Sequence, residues 1–568
     1  MKEHSSRLVR AFTHVFLTYP DRPAIETNNG VLTYEALNKL SSDLADCLTK
    51  ATSIGEFIGI EAHKNASTIV AMVACVRANR PFVMIDPRDS LESNQKKIEL
   101  LRVNCLARKG PQFGENILID TEQYVSYSSN SKRERREDLS PFYDSMVYAI
   151  YTSGSTGEPK CVLVEQDPLA AVVQDHVEKL DLSSSSKTLQ FARLTFDGCM
   201  TEIFWSLTSG ACLVVLDESY LMPGDTLQNT LEEFAITHLK TTPFALTVTK
   251  PTPKMNIQHV INGGGACRPA MRQAWSRYAA FHNAYGTTET TVCNLLTPAL
   301  TDEDCINGIP LGECVGQVDF ELAPVANSDF SSMSGELVFT GASVAIGYLN
   351  EDQLTRFTDN NEPKYFTGDL VNRIGNQLYF VERLDRQLKV RGYRIDPGEV
   401  EGAVCGSYDV SEAVVLASND EFNETLVCYY VGEREQRTLR KELEEKLDSY
   451  KIPSVFHQVA KLPYTKNGKV DRDELLRMHK QSVNDAKNDE SEHPLISLVS
   501  ALTGVQGVSE QDSFLELGGD SASTLILIKH LKEQGWSDVG VKDIFQAPDL
   551  KALIARFEVE KEDLACVE

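Results

Sequence analysis

Tyr151-Thr152-Ser153-Gly154-Ser155-Thr156-Gly157-Glu158-Pro159-Lys160 is the stretch on which the reading of this chain turns. It follows the apolar run Met146 to Ile150, so it reads as a loop leaving the end of a strand. Gly154 and Gly157 permit tight backbone turns, the hydroxyls and exposed amides are able to donate to phosphate oxygens, and Lys160 supplies positive charge. The stretch reads as a phosphate cradle. It is not a Walker A loop, because Gly and Lys are not spaced as that motif requires, and a P-loop fold does not follow. On composition alone, a surface turn rich in Ser and Gly is an equal alternative.

Outward from this loop, apolar β-branched runs alternate with amphipathic stretches, as in a layered α/β sheet. Phe57 to Glu61, Phe82 to Asp86, Cys212 to Asp217, His259 to Asn262 and Gly335 to Thr340 are such runs. The polar stretch Tyr127 to Asp138 mixes both charge signs and reads as a solvated loop. Composition shifts again near Arg383 to Gln387, and Lys389 to Arg472 looks like a smaller α+β unit. Met478 to Pro494 is almost wholly polar or charged, which is linker composition. Beyond it, Leu495, Leu498 and Leu502, then Leu525, Ile528 and Leu531, then Leu550, Leu553 and Ile554 return at helical spacing, as in a short helical bundle.

The 568 residues allow roughly four folding units. With 82 acidic against 56 basic side chains the net charge is −26, which argues against bulk nucleic-acid or anionic-membrane binding. A local basic pocket for one anionic ligand remains compatible with it. The 13 cysteines are scattered without C-x-x-C spacing or a neighbouring His cluster, which argues against zinc and for free thiols in a reducing cytosol. Met1 to Pro20 lacks a signal-peptide pattern, and the longest hydrophobic stretch, near Ile69 to Val76, is too short for a bilayer. A cytoplasmic protein without membrane or nucleic-acid partners is the expectation.

Further motifs give the loop its context. Thr152 to Lys160 resembles the signature loop of the adenylate-forming superfamily, which includes acyl-CoA synthetases, luciferases and the adenylation domains of nonribosomal peptide synthetases. The family's other motifs follow in order: Leu32-Thr33-Tyr34; Phe196-Asp197-Gly198; Asn283-Ala284-Tyr285-Gly286-Thr287-Thr288-Glu289; Gly335-Glu336-Leu337; Tyr365-Phe366-Thr367-Gly368-Asp369; Arg383-Leu384-Asp385; Arg391-Gly392-Tyr393-Arg394-Ile395; and Leu462-Pro463 through Asn467-Gly468-Lys469-Val470-Asp471-Arg472. The resemblance spans nearly the whole chain. Thr287 stands where the family usually has proline, and Glu382 where a glycine precedes the arginine.

Each motif also has a physical reading. Tyr285 offers a π-face for adenine and Asn283 a hydrogen-bonding amide for a base edge. Glu289 is a hard oxygen ligand suited to Mg²⁺, Asp369 suits ribose hydroxyls, and Arg383 adds a second anchor. The resemblance implies the same roles, with Thr288 and Gly264 also beside the nucleotide. It further implies that Thr152, Thr156 and Lys160 act on the phosphates and that Lys469 neutralises charge developing between the substrate carboxylate and the α-phosphate of ATP. Asp385 matches the family's hinge, about which the small C-terminal subdomain turns between half-reactions.

Asp512-Ser513-Phe514-Leu515-Glu516-Leu517-Gly518-Gly519-Asp520-Ser521 opens a helix of the C-terminal bundle. Ser521, after two glycines at a helix N-terminus, sits where the dipole favours a phosphodiester. A G-x-S-x-G nucleophile elbow fails because Ser523 occupies the last glycine position. An N-cap serine is the plain alternative. The segment resembles a peptidyl carrier domain with 4′-phosphopantetheine on Ser521, placed there by a phosphopantetheinyl transferase. From His493 to Glu568 the net charge is −7, which suits the acidic face of such a carrier.

The resemblance therefore implies an α/β adenylate-forming fold in parts: a large N-terminal core over 1–384, a small α+β lid over 385–476, a linker over 477–492 and an all-α four-helix carrier over 493–568. It implies an AMP-forming ligase that uses ATP and Mg²⁺ to activate an amino acid and load it on its own carrier. A carrier-fused fatty or aryl acid ligase and a noncatalytic scaffold are the alternatives. Asp197 favours an amino acid, since the family binds the α-ammonium there. Gly198, Thr201, Lys240, Ile261, Gly263, Ala284, Val292 and Cys293 would line the rest of the pocket. If Lys240 faces it, the buried ammonium needs an acidic or amide side chain, as in pockets for Asp or Asn; if it points away, the lining suits a bulkier apolar or aromatic side chain. No H-H-x-x-x-D-G condensation motif occurs, so a condensation or reductase partner would act in trans or lie outside this sequence.

Overall fold

His259-Val260-Ile261-Asn262 becomes a strand with three of its four residues buried, as expected for a β-branched apolar run at the centre of a parallel sheet. The elements around it, in chain order, are helix α1 (Gln166–Lys179), strand β1 (Lys187–Leu189), helix α2 (Gly198–Ser209) and strands β2 (His238–Thr241), β3 (His259–Asn262) and β4 (Ala280–Tyr285). Strands β1 to β4 are mutually parallel neighbours in a nine-stranded sheet. Its remaining strands are Glu313–Cys314 and Leu295–Leu296 beyond β4, and Cys212–Val214, Pro23–Thr27 and Gly30–Thr33 beyond β1.

A seven-stranded sheet runs in the order Leu354–Arg356, Gly347–Leu349, Lys160–Glu165, Met146–Thr152, Phe82–Ile85, Ile58–Glu61, Cys105–Ala107. Residues of both sheets share one hydrophobic core with the helices Arg7–Thr18, Tyr34–Ala51 and Ala66–Arg77. Helix α2 is buried continuously from Cys199 to Leu207 and ends at Gly210, whose φ of 83° supplies the left-handed cap. A third sheet contains β5 (Ser334–Thr340), β6 (Glu362–Ile374) and β7 (Gln377–Arg383), with β6 antiparallel to both others and Asp369 opposite Arg383.

This computed structural model describes residues 6–107, 134–152, 160–325, 333–390, 392–420, 423–464, 470–487 and, within 494–556, all but 504, 506, 507, 516, 518, 520–522, 525, 526, 529, 530, 533–535, 537 and 538. The chain divides into two compact units between Arg386 and Gln387, immediately after the expected hinge at Asp385. In the second unit, helix α3 (Pro397–Cys405), strands β8 (Val410–Asp420) and β9 (Asn423–Gly432), helix α4 (Gln436–Lys446) and strand β10 (Val455–Gln458) make a three-stranded sheet with helices, the α+β pattern expected from composition. Lys451, buried beneath it, pairs with Glu399 at 2.6 Å and Asp448 at 3.4 Å.

Helix α5 (Arg472–Lys487) runs into the stretch read as linker, so residues 477–487 are helical. Polar side chains such as Lys, Gln and Arg are good helix formers, and Leu475 and His479 give this helix a buried stripe that a composition count overlooks. Helix α6 (Pro494–Thr503) begins a separate core. There Leu495, Leu498, Phe514, Ile528, Leu531, Leu550, Leu553 and Ile554 are all buried, which matches most of the helical spacing read from the sequence. Leu525 lies outside the described residues. Among the described residues no helix is long and apolar enough to cross a membrane, and every cysteine is a free thiol.

Candidate functional site

The carboxyl ends of parallel strands are where α/β sheets bind ligands, and the motif residues of this chain gather at the ends of β2, β3 and β4. Side chains alternate along a strand, so the two faces divide the work. Lys240 pairs in register with Ile261, and Ile261 with His282 two residues before Ala284, which puts all of them on one face. Thr241, Asn262 and Asn283 form a polar row on the other.

On the first face, Lys240 is only 9% exposed. Its Nζ donates to Thr201 Oγ1 at 2.5 Å and to the Gly198 carbonyl at 3.3 Å, both on α2, and stands 5.8 Å from the Trp205 ring centre. Gly263 is beside it: a Cβ there would lie 3.5 Å from Lys240 Cε. Burial pushes the Asp197 carboxyl upward, opposed by a hydrogen bond from Thr288 and by the Lys240 charge. The Cys293 thiol, pushed up to about 11 by burial, feels the charges of Lys240 and Asp197. Val292, just before it, holds a φ of 72° and Thr291 one of 66°, a left-handed pair of β-branched residues that carries backbone strain beside the site. Asp197, Gly198, Thr201, Lys240, Ile261, Gly263 and Cys293 are thus brought together, with Ala284 and Val292 on the adjoining strand and turn.

On the second face, Asn283 Oδ1 accepts from Asn262 Nδ2 at 2.9 Å, and Asn283 Nδ2 donates to the Pro310 carbonyl at 2.8 Å. Asn262 Oδ1 and Thr241 Oγ1 are buried with no hydrogen-bond partner among the described residues. The Tyr285 hydroxyl donates to Asp369 Oδ2, and Arg383 Nη1 donates to Asp369 Oδ1 at 2.7 Å. The same guanidinium donates through Nε and Nη2 to Asp385 at 2.7 and 2.6 Å, joining the expected ribose carboxylate to the expected hinge. A carboxylate has about four acceptor positions, and Tyr285 and Arg383 take two of those on Asp369. Gly264 has a φ of 79°, which a side chain would resist.

Thr152 and Lys160 form the last antiparallel pair before the signature loop, with Thr152 Oγ1 3.5 Å from the Lys160 carbonyl. Thr156, Lys469 and Ser521 lie outside the described residues, as do Ser153 to Pro159 and Arg391. Lys160 Nζ stands 4.8 Å from the Tyr348 ring, and the Tyr348 hydroxyl donates to Glu289 Oε1. Glu289 is fully buried. A buried carboxylate is a hard oxygen donor that fits Mg²⁺ carrying phosphate oxygens and water as its other ligands.

Sequence reasoning missed Tyr348, and also a buried pair behind the pocket. Glu202 accepts from Gln190 Nε2 and from the Phe191 and Ala192 amides, while Lys64 donates to the Gln190, Phe191 and Ala192 carbonyls. The loop 190–192 is clamped between them. Burial raises Glu202 to about 7 and lowers Lys64. A single acid inside Cys199-Met200-Thr201-Glu202-Ile203-Phe204-Trp205 was the available signal, since a carboxylate is rarely buried unless paired.

Residues 12–349 match the family model described as AMP-binding enzyme. The chain belongs to the AMP-binding enzyme family. Residues 399–469 of this AMP-binding enzyme match that family's C-terminal domain, and residues 493–557 match a phosphopantetheine attachment site. ATP, Mg²⁺ and 4′-phosphopantetheine are the cofactors these matches carry, and the attachment site implies a phosphopantetheinyl transferase as partner. The chain is similar to bacitracin synthase 3 of Bacillus licheniformis, 32% identical over 94% of this chain and 9% of that protein. It is similar to tyrocidine synthase 1 of Brevibacillus parabrevis, 28% identical over 96% of this chain and 52% of that one. It thus spans about half or less of these relatives. Among solved structures it resembles holo-PA1221, a nonribosomal peptide synthetase protein containing adenylation and PCP domains, with a TM-score of 0.77 at 22% identity over 96% of this chain and 95% of that one. The AMP-binding enzyme thus joins an adenylate-forming core and its C-terminal domain to a phosphopantetheine attachment domain.

Proposed function

We propose that this AMP-binding enzyme activates an α-amino acid as its aminoacyl adenylate and transfers it to the pantetheine thiol on Ser521. The observation that carries this reading is Asp197, a carboxylate at the start of α2 held by Thr288 beside Lys240, where it suits a substrate ammonium. In the first half-reaction a carboxylate oxygen of the substrate bonds to the α-phosphorus of ATP, and the bond to the pyrophosphate leaving group breaks. Lys469 offsets the negative charge of both reactants, and Asp369 and Tyr285 orient the nucleotide. Glu289 would hold Mg²⁺, which would supply positive charge to the phosphates. In the second half-reaction the acyl group passes to the carrier thiol and AMP leaves. The proposed domain limits are 1–384, 385–476, 477–492 and 493–568, with Asp385 as hinge, and the loaded carrier hands its acyl group to a condensation or reductase partner.

Pyrophosphate exchange measured across amino acids and simple carboxylic acids tests this reading. Exchange with amino acids, together with the matching mass on Ser521 of the pantetheinylated full chain, is the expected result. Exchange confined to acids without an amino group overturns it.

A further inference from the structure

We infer that Arg193 is a positioning residue for the site of the α-ammonium: gripped by Asp86 and Asp89 from the seven-stranded sheet, it sets where Asp197 presents its carboxylate. The inference rests on the proposed binding of the substrate ammonium at Asp197.

Asp197 does not stand on a strand. The ladder of β1 reaches as far as the Gln190 amide, which donates to the Val214 carbonyl at 2.9 Å. Residues 191–197 then run outside both helix and strand until α2 begins at Gly198. A connecting segment of this kind takes its place from the side chains that hold it. Lys64 and Asp86 follow the carboxyl ends of the neighbouring parallel strands Ile58–Glu61 and Phe82–Ile85, and both reach across to it. Lys64 receives the carbonyls of Gln190, Phe191 and Ala192. Arg193, next in the chain, is gripped from the same side: its Nη2 donates to Asp86 Oδ2 at 2.8 Å and stands 3.5 Å from Asp89 Oδ1. Both carboxylates are buried. Asp86 also pairs with the half-exposed Arg88 at 2.9 Å, and Asp89 with the buried Lys97 at 2.7 Å.

A buried ion pair adds little net stability once desolvation is counted, but it fixes one arrangement of the chain, and here the arrangement is local. The Arg193 carbonyl accepts from the Phe196 amide at 3.0 Å, closing a tight turn whose next residue is Asp197. The Asp197 carbonyl accepts from the Met200 amide at 2.8 Å, which fastens the far end to α2. Releasing the guanidinium frees the near end of the turn, and Asp197 loses the exact placement that a hydrogen bond to an ammonium requires. The residues expected to hold the nucleotide, Tyr285, Asp369 and Arg383, are on β4, β6 and β7.

The test is pyrophosphate exchange by the full chain with its most active proteinogenic amino acid, inhibited by the same acid carrying hydrogen in place of the ammonium. Arg193→Gln is expected to raise the KM for the amino acid about tenfold, while kcat, the KM for ATP and the inhibition constant of the des-amino acid stay within about twofold. Arg193→Lys is expected to recover most of that loss, because a single nitrogen makes both contacts. Asp86→Asn, which breaks the pair from the other sheet, is expected to give the same pattern and to add little in the double variant; it decides alone where Arg193→Gln folds poorly. An unchanged KM for the amino acid, or an equal weakening of the amino acid and its des-amino analogue, overturns the inference and leaves amino-acid activation standing. Exchange confined to acids without an amino group overturns both.

Discussion

Arg383 divides its guanidinium between Asp369 and Asp385, and no other side chain of this set could do so. The planar fork presents Nη1 to one carboxylate and the Nε–Nη2 edge to the other. Lysine gathers its donors on one nitrogen and lacks the planar fork that reaches both carboxylates with separate edges. Arg383→Lys is therefore expected to raise the KM for ATP about tenfold, a loss of about 1.4 kcal/mol, while the KM for the amino acid holds, as exchange kinetics would report. Gly286 faces a harder limit, because a Cβ there would lie 2.5 Å from Cys293 Cα and from the Val292 carbonyl oxygen. Gly286→Ala must displace that strained turn, and a loss of about 2–3 kcal/mol is expected in urea unfolding of the first unit. At this scale the sequence carried much of the site. Asp197, Tyr285, Glu289, Asp369 and Arg383 sit in ordered motifs whose chemistry explains them. The direction of Lys240 was not legible, because it depends on the register of β2 against β3 and on which face α2 covers.

Helix α2 positions the pocket through the acid it buries. Glu202 accepts two backbone amides and the Gln190 side chain, and Lys64 answers from the other side of the loop. Removing this acceptor leaves the Phe191 and Ala192 amides without their bonds to it, which costs about 1–3 kcal/mol for each buried donor left unsatisfied. Glu202→Leu is thus expected to lower the melting temperature of the first unit by several degrees and to weaken amino-acid binding, with Glu202→Gln recovering part of both by keeping an acceptor. Differential scanning calorimetry and exchange kinetics read the two effects separately. Strands were legible as apolar runs, since Phe82 to Asp86 became Phe82–Ile85 and His259 to Asn262 is unchanged. The linker was less so. Its polar residues favour solvent in either conformation, and the buried stripe of Leu475 and His479 that makes α5 a helix begins before the polar run does.

Across the whole molecule, acid stability follows from where the histidines lie. His238, His259 and His282 stack across β2, β3 and β4, with ring centres 4.7 and 5.3 Å apart, and His176 lies against Trp205. Burial lowers His176, His238 and His282 to about 4, and in the second unit lowers His457 to about 4. A lowered histidine binds fewer protons folded than unfolded between about 4 and 6.5, so stability falls as pH drops through that window. Glu202, raised to about 7, acts oppositely: folded, it holds a proton that the unfolded carboxylate releases above about 4.5, so it favours the folded state as pH falls. Asp86, held at about 2 by Arg88 and Arg193, has the histidines' sign but acts only below about 4. In the first unit His259 is lowered as well and Asp197 raised, while in the second the raised Glu399 opposes His457, so histidines outnumber the opposing carboxylates in the first unit and not in the second, and the first unit has the steeper slope. The first unit should therefore lose stability faster on acidification from pH 6.5 to 4.5, and the gap between the two transitions should change steadily with pH. Calorimetry at intervals across that window checks the slope, and His282→Gln should reduce it by about one proton for the first unit alone. An unchanged slope in that variant would place the titrating group elsewhere in the core.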